Sequence, residues 1–112
     1  MAETYKQLTA ADAQLGSSST LLYTVPASTK AHLKTITLHN TNTSTEAVEL
    51  NLVASGISAS DANKFLDISL EASETIEWSP SFPFTLEAAA TVYGVSTTAS
   101  KVNVKIDGAE VT

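Results

Sequence analysis

A chain of 112 residues without cysteine is sized for one domain around one core, and it excludes disulfides, thiolate metal sites and thiol nucleophiles together. Acidic residues outnumber basic ones 12 to 6, the net charge is -6 and arginine is absent, so the bidentate fork that reads phosphate or guanine is missing and nucleic acid and anionic lipid are poor partners. Only 16% of residues are charged and no apolar run reaches the length of a membrane span or signal-peptide core; the chain reads as soluble and unprocessed, with a small neutral polar surface suited to coverage by neighbours.

In chain order, residues 1–19 show no period of two. Ala10-Ala11-Asp12-Ala13 suits a helical turn and Gly16-Ser17-Ser18-Ser19 a flexible joint, so this stretch reads as an extended N-terminal arm preceding a domain over 20–112. Thr20 to Val25 is a run of strand formers, which Pro26 ends by removing a backbone donor. Ala31 to Asn40 forms a second strand with apolar positions at Ala31 and Leu33, then at Ile36 and Leu38. The inward phase jumps from odd to even near Lys34-Thr35, which predicts one extra residue there, a β-bulge.

Val48, Leu50 and Leu52 alternate with Glu49 and Asn51 as a half-buried strand. Ile57 to Asn63 is a loop with room for one helical turn around Ala59 to Ala62. Leu66, Ile68 and Leu70 alternate with Asp67 and Ser69, Glu71 to Glu74 forms a turn, and Thr75 to Trp78 is a strand. Pro80 and Pro83 break the chain before a short Phe84-Thr85-Leu86, and Glu87 to Ala90, too short to nucleate a helix, reads as a turn. Thr91 to Ser96 and Lys101 to Asp107 are the last pair, with Gly108 as terminator. About eight short strands at this spacing, without helix-strand alternation, predict an all-β chain: a single antiparallel β-sandwich, jelly-roll-like or immunoglobulin-like.

Chemistry is sparse. His32 and His39 lie in one strand and face opposite ways unless the bulge intervenes, and at a rise of ~3.3 Å per residue they stand about 20 Å apart, too far to share a metal. Glu71, Glu74 and Glu77 lack the spacing of a calcium loop and read as a solvated turn. No nucleophile elbow, phosphate loop or zinc-helix motif is present. The reading is therefore of a protein with no catalytic residues, cofactor or metal.

Two features read as interfaces. Trp78, Phe82 and Phe84 crowd a proline-broken segment that cannot be a regular central strand; rings that do not cap the core become contact anchors. Tyr5, Leu8 and Leu15 are too sparse to form a core of their own and suit an arm laid across a neighbouring subunit. A carbohydrate-binding module is the competing class, with Tyr23, Trp78 or Tyr93 as a sugar platform.

The segment from Gln7-Leu8 through Leu22-Tyr23-Thr24-Val25-Pro26 to Ile36 and Asn40-Thr41 resembles the start of small β-sandwich virion proteins of tailed bacteriophages. There an "LYTVP" strand, a short polar turn and an "I-x-L-x-N-T" strand are followed by an "L-x-A-x-E-T-I-E" turn, similar to Leu70 through Glu77 here. A later phrase, "L-x-A-G-D-x-I", falls on Leu86 through Val92, where this chain has Ala89-Ala90 in place of Gly-Asp. The resemblance implies a non-enzymatic virion structural protein. It is expected to be a capsid decoration or cement protein, a homotrimer bound to the major capsid protein or another virion protein, on the outer shell after assembly from the infected host's cytoplasm. A tail, baseplate or head-fibre component is the alternative.

Overall fold

A computed structural model describes residues 2–112. It holds nine strands: β1 (Glu3–Gln7), β2 (Thr20–Thr24), β3 (Lys30–Asn40), β4 (Glu46–Val53), β5 (Lys64–Leu70), β6 (Thr75–Trp78), β7 (Phe84–Leu86), β8 (Thr91–Ser96) and β9 (Val102–Val111). One sheet runs β1-β9-β3-β6 with β7 also on β3, the other β2-β8-β4-β5, and every pairing is antiparallel. Strands β6 and β7 share one position, since they pair with opposite ends of β3. This order is that of a jelly roll, in which the chain repeatedly crosses between two four-position sheets; the immunoglobulin-like alternative is set aside.

The core lies between the sheets. Leu33, Ile36, Leu38, Val104 and Ile106 face Val48, Leu50, Leu70 and Val92, all essentially excluded from solvent. The bulge in β3 falls where the phase jump put it: β3 and β9 slip register between Leu33 and Thr35. That slip lets Ala31, Leu33, Ile36 and Leu38 all point inward.

Two expectations are corrected. The expected arm is the first strand of the jelly roll: β1 pairs in continuous register with β9, and the chain follows the same strand onward through Leu8 N–H to the Ile106 carbonyl and Leu15 N–H to the Val102 carbonyl. Glu-Thr-Tyr-Lys-Gln lacks apolar alternation because an edge strand with both faces wet needs only the backbone ladder. Gly108 does not end the last strand, which continues to Val111. It sits inside β9 opposite Leu33, where a Cβ would lie 2.0 Å from the His32 carbonyl oxygen.

The turns after β5 and β7 are copies of one another. Glu74 N–H bonds the Glu71 carbonyl and Ala90 N–H bonds that of Glu87, while Ser73 (φ 62°) and Ala89 (φ 68°) hold the left-handed third position. A turn with positive φ there favours glycine. Ala89 thus occupies the left-handed site at the position where the phage phrase carries Gly. Ala89→Gly is expected to stabilise the fold by about 1 kcal/mol, since an L-residue in this region costs ~1–2 kcal/mol and glycine's extra entropy returns part of it. Urea titration of the two proteins reads this as a shift in midpoint at constant slope.

Candidate functional site

The two open margins of the sandwich are closed differently. At the β1/β2 margin, the Tyr23 hydroxyl of one sheet donates to Glu110 Oε2 of the other, and Lys6 Nζ lies 3.3 Å from Glu110 Oε1. The Tyr23 hydrogen bond, with Lys6 beside it, holds the Glu110 carboxyl below the usual range despite burial, while burial and the adjacent carboxylate push the Tyr23 phenol up. At the opposite margin, Phe65, Trp78 and Phe84 pack with ring centroids 5.6–6.0 Å apart, from β5, β6 and β7.

One end of the barrel-like sandwich is tied by buried polar side chains. Asn40, fully buried, donates through Nδ2 to the carbonyls of Ser44, Leu70 and Glu71 and accepts from Asn42 N–H. Glu46, 1% exposed, accepts from Asn42 Nδ2 at 2.9 Å and Thr98 N–H at 2.8 Å. Burial by itself would raise its pKa, but these hydrogen bonds and nearby Lys101 lower it. A carboxyl with a folded pKa below the unfolded one contributes stability above the ordinary glutamate value of about 4.3, and that share is lost as the pH falls through the folded pKa. Glu46→Gln should therefore show a shallower loss of stability than the parent on acidification below about pH 4.3, measured as unfolding midpoints across pH.

The six residues expected at interfaces separate. Leu8 and Leu15 are buried in the chain's own core, at 8% and 1% exposure, which corrects their assignment to a contact with a neighbour. Trp78 and Phe84 are half-buried caps of the core. Phe82 alone of that segment projects, 83% exposed, between Pro80 and Pro83. Tyr5 is 66% exposed on the outer face of the first sheet, with Lys34 Nζ 3.9 Å from its ring centroid. Sequence reasoning missed Leu21 and Ile57, also exposed; Leu21 precedes a register slip in β2 that turns its side chain outward, and no pattern in the sequence marks that slip.

The three rings considered for a sugar platform lie apart: Tyr23 is buried at one margin, Trp78 caps the other, and Tyr93 lies on the outer face of the second sheet, opposite Asn51. The bulge does bring His32 and His39 to one face, where they hydrogen-bond Thr85 and Thr75 respectively. A groove of about 420 Å³ beside His39 is walled by Asp12, Gln14, Thr37, Asn103 and Lys105 together with Ala11, Ala13 and Val104, a mixed set without an aromatic floor. Among the described residues, no three His, Asp or Glu side chains converge as metal ligands.

No protein-family model matches the chain, and no curated protein does. Among solved structures, a chain from Bacillus endospore appendages, described as a novel family of disulfide-linked pili, aligns with a TM-score of 0.56 over 98% of this chain and 88% of that one, at 13% identity. That likeness is one of fold, and the disulfide chemistry in its description has no counterpart in a sequence without cysteine.

Proposed function

We propose that this protein is a non-enzymatic structural subunit of a tailed-phage virion, a decoration protein that self-associates and binds the major capsid protein on the outer shell. The observation that carries it is Phe82: on a chain whose Trp78 and Phe84 serve the core, this ring stands 83% exposed on a proline-framed loop, pre-ordered for insertion into a partner. The LYTVP and L-x-A-x-E-T-I-E resemblance supplies the phage context. The acidic, arginine-free surface suits an exterior position away from packaged DNA.

The test is binding of purified protein to DNA-filled heads that lack it. Phe82→Ser should keep thermal stability within about 0.5 kcal/mol of the parent and weaken head binding at least about tenfold, as loss of an aromatic anchor does. Unchanged binding by Phe82→Ser removes the ring from the contact. Label found on tails alone overturns the capsid assignment.

A further inference from the structure

Four strand positions form the margins of this sandwich, and three of them are guarded against pairing with another chain. Strand β2 is kinked by its register slip at Leu22 and ends before Pro26. Strand β5 carries Lys64, which gathers Glu49, Asp61 and Asp67 within 3.2–3.7 Å. The β6/β7 position is cut into pieces of four and three residues, separated by Pro80 and Pro83. Strand β1 has no proline, glycine or bulge, and its one lysine is turned away to Glu110.

The direction of its free hydrogen-bonding groups follows from the ladder. Ala2 and Thr112 exchange both backbone bonds, and the register from there to Gln7 is unbroken. In antiparallel pairing such pairs alternate, so Ala2, Thr4 and Lys6 turn their backbone toward β9, while Glu3, Tyr5 and Gln7 turn theirs outward. We propose that β1 pairs with β1 of a second copy of this chain, antiparallel about a two-fold axis at Tyr5, joining two five-stranded sheets into one.

The register is selected by the sequence of the strand. With Tyr5 opposite the second copy's Tyr5, Glu3 meets Gln7 on both sides. That makes three hydrogen-bonded pairs and roughly six backbone bonds. A slip by two residues in either direction leaves two such pairs, and a slip by four places either Glu3 against Glu3, a like-charge pair, or Gln7 against Gln7, with a single pair in each case. Same-face parity is kept, so both tyrosine rings stay on the outer face, each under its own Lys34. Beyond Gln7 the chain leaves the strand in the loop over Thr9 to Asp12, which bounds the pairing to five residues. Two copies of charge -6 repel, so association should strengthen with added salt.

This contact does not depend on the virion reading, and it leaves Phe82, on the far side of the same sheet, free for another partner. It is tested on purified protein in solution, where the location in a particle plays no part. The cysteine-free background makes single-cysteine reporters clean. Under mild oxidation Tyr5→Cys is expected to form disulfide dimers at least tenfold faster than Ile57→Cys, a site of similar exposure (61% against 66%); a mixture of Glu3→Cys and Gln7→Cys should cross-link faster than either alone. Tyr5→Pro removes an outward N–H that β9 does not use, so it should fold and show at least a tenfold weaker dimer by sedimentation equilibrium. Equal cross-linking of Tyr5→Cys and Ile57→Cys, or a folded Tyr5→Pro with an unchanged dimer constant, overturns the proposal.

Discussion

Gly108→Ala is expected to lower unfolding stability by about 3 kcal/mol or more, a fall in Tm of roughly 15 °C for a domain of this size. The added methyl would sit 2.0 Å from the His32 carbonyl oxygen and 3.1 Å from its carbon. Both belong to the backbone of a central strand, so no rotamer change relieves the overlap. Relief requires parting β3 from β9 beside the bulge, where the register slip has already used the local freedom of the ladder. Gly56→Ala is the control. Gly56 has φ 79° with nothing within 4 Å of a built Cβ, so only the conformational cost of about 1 kcal/mol remains. Thermal melts by circular dichroism measure both, and similar losses for the two variants would show that the Gly108 contact relaxes.

Leu15→Ala is expected to cost about 3 kcal/mol, within the range for a fully buried leucine. Leu15 is 1% exposed and its Cδ2 lies 2.6 Å from where a Cβ on Gly94 would be, with Leu50 Cδ2 2.7 Å from the same point. Gly94 is therefore the recess in β8 that receives it. Both backbone groups of Leu15 are also paired, to Val102 and Ser100, so the neighbours cannot collapse readily into the vacated space. Equilibrium denaturation checks the size. A loss below about 0.5 kcal/mol, typical of exposed sites, would return residues 8–15 to the status of a loosely attached arm.

Strand positions with one wet and one dry face were legible from the residues, because burial imposes a period of two that side-chain polarity records. Val48, Leu50 and Leu52 show it, as do Leu66, Ile68 and Leu70. The bulge at Lys34 was legible for the same reason, as a jump in that phase. Strand β1 was not, since its residues are exposed on both faces and its stability comes from backbone groups that carry no residue identity. The candidate contact site was half legible: Trp78, Phe82 and Phe84 marked the segment, but only packing against Phe65 decided which two rings cap the core.

By itself the sequence determined an all-β sandwich, its strand positions from Thr20 onward except the end of the last strand, the bulge, the turns and the absence of thiol and arginine chemistry, because these depend on local period, turn propensity and composition. The tertiary structure decided the jelly-roll order, the place of residues 3–15 in the fold, the need for glycine at 108 and the isolation of Phe82 and the β1 edge at the surface. Each of those is set by which distant segments meet, and a pairing between β1 and β9, nearly the whole chain apart, leaves no mark in the residues near either one.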